Sequence, residues 1–152
     1  MSLSLENITF ELNTKTRDTA FFIHDGTNGL EYMMDCTFRE GAYDGCEITP
    51  YLCINSIETT AVTKEELVGI SFSIHSIEEA DEREDSFYVF EHEPLEQYHL
   101  QILEIKNEKA RIHCRGTAIV DGYANPYVTK NFEIDCWLPI ITNVSDWHKF
   151  NL

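Results

Sequence analysis

Six histidines and a few neighbouring nucleophiles are the residues of this sequence whose types could support catalysis or metal binding. The histidines are His24, His75, His92, His99, His113 and His148. None lies in an HExxH motif, in CxxC-paired spacing or in another zinc-ligand pattern. His92, between Glu91 and Glu93, comes nearest to a metal cluster, but adjacent residues of a strand point to opposite faces. The sequence therefore predicts no metal site.

The candidate nucleophiles also lack the signatures of covalent catalysis. Cys114 follows His113, and Ser145 lies close to Asp146 and His148. Neither group belongs to a motif such as GxSxG, and adjacent Cys and His side chains on a strand diverge. No GxGxxG or Walker A glycine pattern is present to hold a phosphate. We therefore predict that the protein is not an enzyme and uses no cofactor.

The acidic stretch EEADEREDSFYVFEHE, residues 78 to 93, is the most unusual feature of the chain. Eight of its sixteen residues are acidic and only Arg83 is basic, so it carries a formal charge of −7 out of −16 for the whole protein. Packing carboxylates together costs stability through self-repulsion, and solubility alone would be served by spreading them out. The stretch therefore favours a cationic partner.

Within this stretch, charged and aromatic residues suit different parts of a binding surface. Aromatic side chains anchor interfaces, whereas carboxylates steer a basic partner and pair with its cationic groups. We predict that steering falls to Glu78, Glu79, Asp81, Glu82, Glu84 and Asp85, pairing to Glu91 and Glu93, and anchoring to Tyr88 and Phe90. The alternative is a solvated loop over residues 78–85, followed by a strand whose charged neighbours prevent edge aggregation.

Composition limits the class of protein and of partner. A chain of 152 residues with 43% hydrophobic residues fits one β-rich domain, residues 1–152. A net charge of −16 disfavours nucleic acid and anionic membranes as direct ligands. The N-terminus resembles no signal peptide and no apolar run is long enough to span a bilayer, which predicts a cytoplasmic protein. Its five cysteines, Cys36, Cys46, Cys53, Cys114 and Cys136, are then expected to be reduced.

Apolar residues recur mainly with a period of two, which is the period of β-strands. The predicted strands cover residues 8–12, 20–24, 30–38, 51–62, 68–77, 87–91, 98–105, 110–120 and 128–138. Short helical turns are predicted at Thr63–Glu66, from a capping-box pattern, and after Ser145 as N-cap. The predicted fold is a single-domain antiparallel β-sandwich or partly open barrel of about eight strands, with one to three short helices.

In these respects the chain resembles the immunity proteins of bacterial toxin systems, including those of contact-dependent growth inhibition. The resemblance lies in the small acidic β-rich domain, the lack of a catalytic motif and the cluster Glu78 to Asp85. It implies a protein that binds a basic toxin domain, often a nuclease, and neutralises it. No motif transfers residue by residue, and three other hypotheses remain open.

The main alternative is a β-barrel or sandwich that binds a small molecule. Its cavity would be lined by large apolar side chains, namely Tyr32, Met33, Met34, Phe72, Tyr88, Phe90 and Trp137. The other two hypotheses are a structural subunit that pairs through an exposed strand edge and an enzyme without a recognised motif.

Overall fold

The computed structural model describes all 152 residues and consists of 57% strand and 12% helix. The twelve strands are β1 (Ser2–Leu5), β2 (Ile8–Glu11), β3 (Ala20–Asp25), β4 (Leu30–Thr37), β5 (Gly41–Tyr43), β6 (Cys46–Ile48), β7 (Tyr51–Glu58), β8 (Ser71–Ile74), β9 (Ser86–Tyr88), β10 (His92–Lys106), β11 (Lys109–Asp121) and β12 (Val128–Ile141). One α-helix, α1 (Ile77–Arg83), and two 3-10 helices, Lys64–Leu67 and Val144–Phe150, complete the chain. The prediction of a mainly β protein is confirmed.

Seven of the strands form a closed barrel. Their order is β11, β10, β9, β7, β4, β3 and β12, and pairing between β12 and β11 closes the ring. All neighbours are antiparallel except β12 and β3, which pair in parallel at Ile140 with Phe21 and Ile141 with Phe22. β1 and β2 extend the sheet from β12, and β8 pairs with β10. The sheet therefore closes on itself and is neither a sandwich nor a partly open barrel.

Alternating side chains fill the barrel as the sequence predicted. In β4, Tyr32, Met34 and Cys36 point inwards and are fully buried, while Glu31 and Asp35 lie on the outer face. The same alternation runs through the long strands β10, β11 and β12. The inward side chains join one core cluster of 35 buried residues. Burial at roughly 25 cal/mol per Å² of apolar surface is the main force that stabilises such a core.

The hairpin predicted around residues 106–109 is confirmed and has a two-residue turn. Asn107 and Glu108 have φ values of 54° and 63°, so both lie in the left-handed region. This is the backbone of a type I′ turn, whose twist matches that of the flanking strands. Lys106 and Lys109 pair across the turn.

Several local predictions were wrong. The predicted strand over residues 68–77 reduces to β8, and that over 87–91 to β9. β1, β5 and β6 were missed because each has only three or four residues. The turn predicted at Thr63–Glu66 is confirmed as the 3-10 helix Lys64–Leu67.

The final 3-10 helix begins where predicted but has a different cap. Asn143, not Ser145, is its N-cap and forms a capping box with Asp146. The Asp146 carboxylate accepts hydrogen bonds from the Thr142 amide and hydroxyl, both at 2.7 Å. These bonds are the main reason that the pKa of Asp146 lies well below its usual value. Asp146 is therefore occupied in capping the helix.

Three of the five cysteines pack in the barrel core, as their alternation predicted. Cys36, Cys114 and Cys136 are buried, Cys53 is half-buried and Cys46 is exposed. None takes part in a disulfide. Burial raises the pKa of the Cys114 thiol, so Cys114 acts as a small hydrophobic side chain.

Candidate functional site

The predicted solvated loop at residues 78–85 is mostly the helix α1. The Ser76 side chain accepts a hydrogen bond from the Glu79 amide at 3.2 Å and caps its N-terminus. Acids in the first turn and Arg83 in the last turn both suit the helix dipole. The pattern Ser76-Ile-Glu-Glu79 matches a capping box and could have predicted this helix.

Five of the six predicted steering residues are exposed on or next to this helix. They are Glu78, Glu79, Asp81, Glu82 and Glu84, which we call the α1 acids. None of the five carboxylates has a Lys, Arg or His side-chain nitrogen within 4.0 Å. Their field therefore extends into solvent without neutralisation by the chain itself.

Asp85, the sixth predicted steering residue, has a structural position, and the prediction for it was wrong. Its side chain is 1% exposed. One carboxylate oxygen accepts hydrogen bonds from Arg83 Nε at 2.8 Å and from the Tyr98 hydroxyl at 2.6 Å. The other accepts from the Asn55 amide at 2.8 Å. Burial and the adjacent Asp85 carboxylate raise the pKa of Tyr98, which keeps its hydroxyl a donor.

The Arg83 and Asp85 pair fills a gap in the barrel wall. β7 pairs with the short strand β9 only from Tyr51 to Cys53, so the backbone of Asn55 and Ser56 has no strand partner on that side. Arg83 donates to the Asn55 carbonyl at 2.7 Å and to the Ser56 carbonyl at 3.2 Å. Two charged side chains thus satisfy partly buried backbone groups that a longer β9 would otherwise have paired.

A second acidic region lies at the end of the barrel where four turns meet. The β1–β2, β5–β6 and β9–β10 turns and the β11–β12 loop surround a cleft of about 800 Å³. We call it the acidic cleft because its walls contain five carboxylates, those of Glu6, Asp44, Glu91, Glu93 and Asp121. Its floor includes Leu5 and Val120, which belong to the barrel core.

Turn geometry positions the carboxylates of the cleft. Glu6 and Asp44 have φ values of 51° and 49°, which places both in left-handed turn conformations. Asp121 ends β11, and its carboxylate accepts from the amides of Tyr123 and Ala124 at 3.0 and 3.2 Å. The Glu93 carboxylate occupies the space that a side chain at position 122 would fill, since a Cβ at Gly122 would lie 2.4 Å from its Oε1 atom.

Three aromatic residues add apolar faces to the cleft. Tyr43 and Phe90 form a tilted pair with ring centroids 6.0 Å apart, and Tyr123 is exposed on the β11–β12 loop. Tyr43 is 8% exposed, and its hydroxyl, which makes no hydrogen bond to another protein group, is open to solvent. Burial raises the pKa of Tyr43, and the carboxylates of Asp44 and Glu6 raise it further. The nearby Glu91 carboxylate raises the pKa of Tyr123.

The cleft has a strong excess of negative charge. Lys130 is the one basic side chain among its lining residues. None of the five carboxylates lies within 4.0 Å of a Lys, Arg or His nitrogen. A cationic group in the cleft would therefore find several unpaired carboxylates next to aromatic faces, an arrangement that attracts cations by both charge and ring quadrupole.

The structure divides the other predicted binding residues between the cleft and the barrel wall. Phe90, Glu91 and Glu93 line the cleft. Tyr88 does not, because its half-buried ring packs on His92 with centroids 4.9 Å apart. Glu6, Tyr43, Asp44, Asp121 and Tyr123 were missed, although the turn sequences Asp44-Gly45 and Asp121-Gly122 were visible.

The cavity predicted for the small-molecule alternative has a different lining. Tyr32 and Met34 are fully buried in the packed core, and Phe72 lies under the Arg83 guanidinium at 4.7 Å. Of the apolar residues proposed for that cavity, Phe90 alone lines the cleft. The cleft is thus an open site at the barrel end and not an internal cavity lined by that set.

The residues weighed for catalysis are held in other contacts. Cys114 is buried in the core, whereas His113 lies on the outer face with Nε2 3.5 Å from Glu133. His92 packs against Tyr51 and Tyr88 while Glu91 and Glu93 line the cleft. No group of three His, Cys, Asp or Glu side chains has the arrangement that would hold a metal ion.

Searches against protein-family models, curated proteins and solved structures find no match to this chain. None of the helices combines the length and the apolar character that crossing a membrane requires.

Proposed function

We propose that this chain is an inhibitor of the immunity type, which binds and neutralises a basic protein domain. One observation carries the proposal: the α1 acids and the five carboxylates of the acidic cleft all lack a cationic partner within the chain. Acids that serve the fold, such as Asp85, are paired. The unpaired acids of these two regions favour a partner that supplies positive charge.

The two regions suit different steps of binding. The α1 acids are exposed on a convex helix, so they act through a field that solvent screens over roughly 8 Å at physiological ionic strength. The acidic cleft is concave and partly apolar, so a group inside it loses water and makes short contacts. We expect the helix to set the association rate and the cleft to set the dissociation rate.

Two matched variants separate these roles. The cleft variant carries Asp44→Asn, Glu91→Gln and Glu93→Gln. The helix variant carries Asp81→Asn, Glu82→Gln and Glu84→Gln. Each removes three negative charges through near-isosteric changes, and none of these side chains forms an ion pair in the protein. Asp85 stays unchanged in both variants.

The test uses the basic domain that we expect to be encoded beside the gene for this chain. That domain is expressed in cells alone and together with the wild-type chain, the cleft variant or the helix variant. We expect the wild type to restore growth, the cleft variant to protect least and the helix variant to protect partly. Failure of the wild type to bind the domain or to restore growth would refute the proposal.

The second candidate function is binding of a small cationic molecule. It is favoured by the volume of the cleft, about 800 Å³, which falls in the range of ligand pockets. A thermal-shift screen with alkylamines and alkylguanidines tests it. Stabilisation of the wild type but not of the cleft variant would support this candidate, and no shift with any compound would oppose it.

A further inference from the structure

The acidic cleft differs from an ordinary acidic surface in combining charge with an aromatic wall. Tyr43 is more than nine-tenths buried, lines the cleft and leaves its hydroxyl without a partner in the protein. Phe90 packs against it and is 38% exposed. The Tyr43 hydroxyl is open to solvent in the cleft, so it is free to bond to a group that enters beside the unpaired carboxylates.

The type of cation follows from the groups that surround it. An ammonium ion is compact and strongly hydrated, and it gains little from an aromatic face while it keeps its water. A guanidinium is planar and weakly hydrated, stacks on aromatic rings and pairs with carboxylates in a bidentate manner. The carboxylates of Glu91 and Glu93, beside the rings of Phe90 and Tyr43, therefore suit a guanidinium better than an ammonium ion.

The size of the cleft indicates that the cation belongs to a longer segment. A volume of about 800 Å³ is suited to a drug-sized ligand, which is more than one side chain fills. Acids surround the cleft from four separate turns, so positive charge is favoured along its whole length and not at a single point.

We infer that the acidic cleft receives an arginine-bearing segment of the partner protein, with a guanidinium placed between the Tyr43–Phe90 pair and the carboxylates of Glu91 and Glu93. This inference rests on the proposed function and specifies the group that the partner inserts. The segment displaces water from the cleft, and the Tyr43 hydroxyl accepts a hydrogen bond from it.

The experiment uses acetylated and amidated tri-arginine as the probe, with tri-lysine, tri-citrulline and single arginine amide as comparisons. Affinities are measured by titration calorimetry at about 150 mM salt, and binding is located from amide chemical shifts. We expect tri-arginine to bind best, tri-lysine about threefold more weakly, and tri-citrulline not at all because it lacks charge. The shifts should concentrate at residues 43–45, 90–93 and 121–123.

The matched variants decide whether the site is local. We expect the cleft variant to lose about tenfold or more in tri-arginine affinity, and the helix variant to lose about twofold, because its charges act only through a screened field. Phe90→Leu keeps an apolar side chain but removes the ring, so it should bring the arginine and lysine affinities close together. Unfolding curves of each variant verify that it folds.

Other outcomes overturn the inference. Equal losses of tri-arginine affinity in the cleft variant and the helix variant would mean that the peptide responds only to net charge and does not bind in the cleft. Unchanged preference in Phe90→Leu would remove the aromatic wall from recognition. If arginine amide binds as tightly as tri-arginine, the occupant is a small molecule and not a protein segment.

The result also separates this inference from the proposed function. A chain that restores growth but whose cleft variant protects fully would retain the inhibitor function and lose the arginine site. A chain that binds tri-arginine in the cleft but restores growth against no basic domain would retain the arginine site and lose the inhibitor function.

Discussion

The Arg83–Asp85 region and the acidic cleft both contain acidic side chains at the ends of strands, but they use them in opposite ways. Asp85 is buried, paired with Arg83 and bonded to the Asn55 amide and the Tyr98 hydroxyl. The cleft carboxylates border solvent and have no cationic partner. Asp85 is saturated with donors, whereas the cleft carboxylates keep oxygens free for a ligand.

The largest expected effect is the loss of stability on replacing Asp85. In Asp85→Asn the guanidinium of Arg83, which is partly buried, loses its counter-charge. The hydrogen bonds from the Tyr98 hydroxyl and the Asn55 backbone amide to residue 85 are weakened as well. Breaking such a pair is strongly destabilising, and we expect about 3 kcal/mol less free energy of unfolding in urea titration. Glu84→Gln is the control next to it and should change stability by less than about 0.5 kcal/mol.

A double-mutant cycle with Tyr98→Phe sharpens this prediction. The two side chains share a hydrogen bond of 2.6 Å, so their effects should be non-additive by about 1 kcal/mol or more. Additive effects would mean that Asp85 is held by its backbone contacts and not by the network.

Asp146 provides a pH-dependent test on a second saturated acid. Its pKa is lowered in the folded state, so the stability it contributes is fully present above the pKa of the unfolded chain, near pH 4. That contribution is lost as pH falls towards the folded pKa. We expect Asp146→Asn to destabilise the protein by about 1 kcal/mol at pH 7. Unfolding curves of the two proteins should converge as pH falls below 4; a constant difference would contradict this account.

Gly122→Ala tests the geometry of the cleft at constant charge. The added methyl would lie 2.4 Å from Glu93 Oε1, so the carboxylate must move out of its position. We expect affinity for tri-arginine to fall about threefold, a modest effect since only one contact shifts. The unfolding midpoint should stay nearly unchanged because the displaced atoms are the end of a flexible side chain. Unaltered affinity would mean that Glu93 does not contact the peptide.

The contrast between the two regions also shows which features were predictable from the sequence. Alternation in residues 30–38, 110–120 and 128–138 predicted strands, because inward and outward positions follow directly from the pleat. Barrel closure depends on the pairing of β11 with β12 and of β12 with β3, which periodicity does not encode. Mainly β structure was therefore predictable, and the closed barrel was not.

The site was only partly predictable for a related reason. Phe90, Glu91 and Glu93 were found because they lie in one dense acidic stretch. Glu6 and Asp121 come from distant parts of the chain and join them only through the barrel. Asp85 has the same local sequence character as its exposed neighbours, and its burial depends on the non-local residues Asn55 and Tyr98.

The free energy of unfolding of the cleft variant, compared with the wild type in urea at low ionic strength, tests the central claim most directly. If the cleft carboxylates serve a ligand and not the fold, removing three of them relieves repulsion, and stability should stay equal or rise by up to about 0.5 kcal/mol. The helix variant should behave in the same way. A loss of about 1 kcal/mol or more in the cleft variant alone would show that these acids hold the barrel end together and would contradict the account.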